Sequence, residues 1–329
     1  MSGVESPAVR SRYEIRGLAV TDLSTILGAV GWLFVVFVLA SDFDIVDRAL
    51  SLAVLVLVPL GIGMAATPRF SGLAGRLCTA AILAQPVAAV LFVGSLFESV
   101  DGQTAAAIAA PWLLVTGLLA LTALVRAHTR VSDHCGLTPL SETVIDAGLA
   151  YSVVGASALL LFHLDVTFWF SRTIIRLTAV HFHYAGFALP VITGLVGRAV
   201  DEQSRVYDAA ASVVLVGPGI IAVGISFSPV VEVVAVSVFT LAVAVLAAFV
   251  LGRVVPSRPR AQGILLGLSA LALPVSMALA LGYAVSVFTN TDLGLRIPTM
   301  IRVHGSLNAF GFALLGLVGW RVAVPELES

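Results

Sequence analysis

The sequence predicts an all-α membrane protein, a polytopic bundle of about ten transmembrane helices with both termini cytoplasmic. Three observations carry that expectation. Of 329 residues, 59% are hydrophobic and only 11% charged, whereas a soluble domain carries about 25% charged residues. The mean hydropathy is +1.05, so the apolar excess must face lipid rather than surround a water-covered core. The apolar residues also fall into ten stretches, each close to the ~17–25 residues a helix needs to cross ~30 Å of hydrocarbon at ~1.5 Å per residue.

Those stretches are residues 21–40, 50–66, 77–97, 105–126, 144–163, 174–196, 207–227, 230–251, 263–288 and 301–322, within a single integral membrane domain spanning 1–329. The polar segment before the first shows no small-residue cleavage site, so a retained first helix is expected rather than a cleaved signal peptide. Only Ser228 and Pro229 separate the seventh and eighth stretches, which predicts a tight hairpin. Pro86, Pro111, Pro190, Pro218 and Pro274 lie within spans, and each predicts a kink because proline lacks the backbone donor. Gly217-Pro218-Gly219 predicts the sharpest distortion, up to a broken helix of the kind that lines transporter cavities. The plainer reading is that membrane helices carry proline commonly.

The arginines set the orientation. All 18 basic residues are Arg. With both termini inside, the inner segments hold 13 of them, including Arg10, Arg12, Arg16, Arg126, Arg130 and Arg198. The outer segments hold 5: Arg48, Arg172, Arg176, Arg296 and Arg302. That is the positive-inside bias, and it places the chain as a multi-pass protein of the cytoplasmic membrane, with the lipid bilayer as its first partner. A net charge of −1 with scattered arginines offers no basic face for nucleic acid. Cys78 and Cys135 have neither disulfide nor metal-site spacing. The outer loops are acidic (Asp42, Asp44, Asp47, Glu98, Asp101) or aromatic (Phe168-Trp169-Phe170), the latter reading as an interfacial belt.

Ionisable side chains inside spans cost several kcal/mol unless they face a cavity or a partner, and here they cluster. The sixth span contains Ile175-Arg176 and then His181-Phe182-His183-Tyr184-Ala185-Gly186-Phe187; the tenth contains Ile301-Arg302 and then His304-Gly305-Ser306-Leu307-Asn308. Gly-Phe-Ala-Leu follows in both, from Gly186 and from Gly311. Both spans run inward from the outer face, so the two polar clusters are expected at one depth. His304 and Asn308 share a helix face, whereas His181 and His183 are about 200° apart and cannot both face one partner. The expected site is therefore His181 or His183 with Tyr184, His304 and Asn308, flanked by Arg176 and Arg302. His163 and Asp165 can approach from the side, and Glu142 and Asp146 belong to the opposite face, Glu142 reading first as a helix N-terminal acid.

Three chemistries suit such a set. His181, His183 and His304 could ligate a transition metal, or two of them a haem iron. Imidazoles and arginines could bind and pass a proton, ion or small solute. A histidine could act as acid or base on a lipophilic substrate. The plain alternative is hydrogen bonding between buried helices.

The His181–Phe187 segment, followed near the C-terminus by His304-Gly305-Ser306-Leu307-Asn308-Ala309-Phe310-Gly311-Phe312, resembles the YndJ-like family of bacterial and archaeal membrane proteins. The similarity is strongest from about Glu142 onward. It implies a transporter-like polytopic architecture with no established substrate. It also implies that His181, His183, Tyr184, His304 and Asn308 are the positions that matter. Relatives with a large soluble extension lend no activity to this chain.

Overall fold

The computed structural model describes residues 14–15, 17–97, 99–134, 136, 138–200 and 204–325; Arg10, Arg12, Arg16, Glu98 and Cys135 lie outside them. Ten helices are long and apolar enough to cross a membrane: α1 (Val20–Phe37), α2 (Ile45–Ala65), α3 (Gly72–Gly94), α4 (Gly102–Ser132), α5 (Leu140–His163), α6 (Arg172–Arg198), α7 (Arg205–Phe227), α8 (Pro229–Ser257), α9 (Arg260–Thr289) and α10 (Ile297–Val322). A two-strand hairpin, β1 (Glu14–Ile15) with β2 (Leu18–Ala19), precedes them. It turns at Gly17, whose φ of +83° suits glycine.

Polar residues start these helices. Asp44 accepts from the Val46 and Asp47 amides while Asp47 accepts from the Asp44 amide, a complete capping box at α2. Ser171, Ser204 and Ser228 cap α6, α7 and α8 through their hydroxyls. Ser228 alone separates α7 from α8, as the hairpin reading anticipates.

Burial sorts the helices. α2 and α6 are each 83% buried and form the centre, whereas α1 is 17% buried and lies at the periphery. Consecutive helices pair from α3 through α6 and again from α7 through α10, and α6 and α10 touch each other and α2. Large apolar side chains such as Leu114, Leu121, Val87 and Leu241 point outward, as they must where the solvent is hydrocarbon.

Two local features depart from the sequence reading. α7 continues unbroken through Gly217-Pro218-Gly219. The Tyr151 hydroxyl donates to the Leu215 carbonyl at 3.0 Å beside this proline, and Gly217 lets the Phe239 ring press against the helix. Several helices also widen into π turns, at Ala53–Leu57 in α2, Tyr184–Ala188 in α6, Val250–Val254 in α8, and Met300–His304 and Leu307–Leu314 in α10. Such turns leave the i→i−4 ladder and recur at functional sites. In α6 and α10 they fall on the shared Gly-Phe-Ala-Leu motif.

Candidate functional site

α6 and α10 enter from the same end of the bundle, and the α6 entry is pinned. Arg176 forms a two-pronged pair with Asp44 at 2.8 Å for both contacts and reaches Asp47 at 2.5 Å. Partial burial pushes the Asp44 carboxyl up. The Arg176 hydrogen bond and charge and the amides of Asp47 and Val46 outweigh it and hold Asp44 below the ordinary carboxylate range.

Nine residues into α6, the ring of His181 lies nearly parallel to that of His304 of α10, centroids 6.3 Å apart. The nitrogens of His304 are both occupied. Its Nδ1 donates to the Ser276 carbonyl of α9 at 2.8 Å, which leaves Nε2 as acceptor for the Asn308 amide at 3.0 Å. The Ser276 hydroxyl closes the circuit onto the His304 carbonyl at 3.2 Å. His181 is different. Its Nδ1 donates to the Leu177 carbonyl at 2.7 Å, and its Nε2 lone pair has no partner among the described residues. Although α6 is a central helix, His181 is exposed, and Met300 through Asn308 of α10 are all half-buried or exposed. An exposed strip therefore runs between the first halves of α6 and α10, with one bare imidazole nitrogen on it.

His183 points away from that strip. It is fully buried, with Nδ1 donating to the Ala179 carbonyl at 2.7 Å and Nε2 accepting the Trp112 indole N–H of α4 at 3.0 Å. Phe92 meets its ring edge-on at 5.9 Å. Gly155 of α5 makes room for it, since a Cβ there would sit 2.7 Å from Nδ1. The structure thus gathers His181, His304 and Asn308 and sets His183 in a closed aromatic cage about α4.

The flanking residues take separate places. Tyr184 is buried and donates to the Ala49 carbonyl of α2 at 2.8 Å. His163 is buried and meets the hydroxyl of Ser95, which follows α3, at 3.1 Å. Asp165 pairs with Arg172 at 2.6 Å in an exposed loop. Arg302 is exposed near the start of α10.

Glu142 and Asp146 lie at the other end of α5, where they bind arginines rather than helix amides. Asp146 pairs with Arg126 and Arg130, and Glu142 with Arg126 at 2.5 Å and Arg198 at 2.6 Å. Arg198 also donates to the Met64, Ala65 and Thr67 carbonyls at 3.2, 3.0 and 2.7 Å, which satisfies the end of α2. Buried charges of both signs knit α2, α4, α5 and α6 here. This network, Trp112 and Ser276 escape a sequence reading, because each depends on a partner helix. Trp112 alone carries a signal, as a tryptophan deep in a span rather than at an interface.

Among the described residues, no group of three or more His, Cys, Asp or Glu is placed to hold a metal ion. Of the three histidines expected as ligands, only His181 keeps a free ring nitrogen in this arrangement.

Residues 48–312 match the model of the YndJ-like protein family. The chain belongs to the YndJ-like family. The match takes in α3 through α9 whole and most of α2 and α10. The uncharacterized membrane protein YndJ of Bacillus subtilis (strain 168) is 34% identical over 240 residues, 72% of this chain and 41% of that protein. This chain thus spans under half the length of that YndJ relative. No solved structure matches it. The family name and the ten apolar helices agree on a multi-pass membrane protein.

Proposed function

We propose that this YndJ-like protein handles a small solute or ion at the recess between α6 and α10, in the manner of a transporter, with the recess opening to the outside of the cytoplasmic membrane. The observation that carries the reading is the bare, exposed Nε2 of His181 inside a membrane span. An unpaired polar atom facing hydrocarbon is costly, whereas one lining a wet recess is available to a ligand. The neighbouring nitrogens of His304 are spent on Ser276 and Asn308, so His304 positions the wall and His181 meets the cargo. The recess presents His181 Nε2 as an acceptor, which suits a cargo that donates a hydrogen bond. A metal or haem enzyme draws less support, because among His181, His183 and His304 only one ring nitrogen is left unoccupied by the described residues.

Solid-supported-membrane currents from reconstituted protein test this, using jumps of pH, ammonium, alkali cations and small amines. The reading expects a current for at least one of them that His181→Phe abolishes while the protein stays folded. No current from any of them, or currents unchanged in His181→Phe, overturns it.

A further inference from the structure

The second half of the chain retraces the first. Moving 125 positions along the sequence carries Gly186-Phe187-Ala188-Leu189 onto Gly311-Phe312-Ala313-Leu314. The same step carries α4 onto 227–257, where α8 runs Pro229–Ser257, and α5 onto 265–288, inside α9. It carries α6 onto 297–323, where α10 runs Ile297–Val322. α3 is the helix most out of step, landing eight positions before α7, six of them because Ser228 alone replaces the loop 95–101 between α3 and α4.

The packing follows the same step. Gly194 of α6 lets the helix approach α5, where an added Cβ would come within 2.3 Å of the Ile145 side chain and 2.6 Å of the Ser141 carbonyl. Gly319 of α10 lets that helix approach Leu266 of α9, at 3.0 Å. Gly194 and Gly319 are 125 positions apart, and so are Ser141 and Leu266. Four spans per copy leave both copies in the same orientation, so the repeat is a parallel one. In transporters built from repeats, the cargo site lies where the copies meet. Here the last helices of the two copies, α6 and α10, meet each other.

That seam has two different halves. Its first half is the His181 recess. In its second half the helices close up: a Cβ on Gly316 of α10 would lie 2.8 Å from both Ile192 of α6 and Ser269 of α9. A small apolar chamber of about 30 Å³ lies there, lined among others by Ile192, Val196, Leu246, Phe312 and Trp320. A hydrophobic constriction of this kind blocks water and ions. At its far end the indole N–H of Trp320 and the side-chain oxygen of Gln262 are buried with no hydrogen-bond partner among the described residues, the sort of group a passing polar solute satisfies.

We infer that α3–α6 and α7–α10 are two copies of one four-helix unit, and that a small polar solute crosses along their seam, from the His181 recess, through a gate closed by Ile192 and Phe312, to Trp320 and Gln262. This deepens the function proposed above and rests on it for the direction of traffic, but the route is measurable without any transport assay.

In a background of Cys78→Ala and Cys135→Ala, single cysteines at His181, Ser269 and the lipid-facing Leu271 are exposed in vesicles to a membrane-impermeant quaternary-ammonium methanethiosulfonate. His181→Cys is expected to label readily, Ser269→Cys and Leu271→Cys slowly. Adding Ile192→Ala is expected to speed Ser269→Cys by about tenfold or more and to leave Leu271→Cys unchanged. If that variant does not fold, Phe312→Ala opens the same gate. Slow labelling at His181→Cys, or a Ser269→Cys rate that a folded gate variant does not raise, overturns the seam as a route. Labelling as expected alongside silent currents would overturn the transport reading alone.

Discussion

The rings of His181 and His304 lie 6.3 Å apart across the α6–α10 seam, yet their nitrogens are in opposite states. His304 has spent both on Ser276 and Asn308, and His181 keeps Nε2 bare. Two histidines of equal chemistry thus divide into a positioning residue and a contact residue. The division comes from α9, which supplies Ser276, and from the Asn308 amide one π-widened turn along α10.

Trp112→Phe removes the only donor to His183 Nε2 among the described residues and leaves a fully buried acceptor unsatisfied, at a cost of about 1–3 kcal/mol. The thermal midpoint of the detergent-purified protein falls, while currents measured well below that midpoint persist, because His183 does not line the recess.

Glu142→Gln leaves Arg198 without its carboxylate partner and Arg126 with Asp146 alone in a buried network, and breaking such a pair costs about 3–5 kcal/mol. Arg198→Lys is also damaging, since a single ammonium cannot replace contacts to Glu142, Met64, Ala65 and Thr67. Both are expected to melt earlier than an exposed control, Arg296→Gln, which loses only a surface pair.

The Asp44–Arg176 tie gives a pH dependence with a definite sign. The folded Asp44 carboxyl sits below its ordinary value, so its stabilisation is complete above the unfolded carboxylate pKa of about 3.9. It fades as pH falls through the lower folded value. Thermal midpoints of wild type and Asp44→Asn should differ at pH 6 and converge toward the acid limit; a constant difference across that range contradicts the tie.

The membrane fold was legible because lipid writes itself into composition. Ten apolar stretches and the arginine bias point to ten spans, and ten helices stand where those stretches lie. The common depth of His181 and His304 was legible too, from the repeated Ile-Arg and Gly-Phe-Ala-Leu motifs. Which histidine meets α10 was not. Helical spacing separates His181 from His183 by direction, but only the placement of Trp112 and Gly155 shows which direction is the caged one. Glu142 reads locally as a helix-start acid because its partners, Arg126 and Arg198, sit on two other helices. The π turns leave no composition mark, since a widened turn is set by packing. Pro218 marks a break in isolation that its neighbours prevent.

The free nitrogen of His181 is tested most directly by carbethoxylation. Folded protein in lipid nanodiscs is treated with diethyl pyrocarbonate near neutral pH, and the modified histidines are located by peptide mass spectrometry. Rapid modification at His181, with His183 and His304 protected until the protein is unfolded, is the predicted result. His181 as protected as His183, or His304 reacting first, would contradict the recess and the function placed in it.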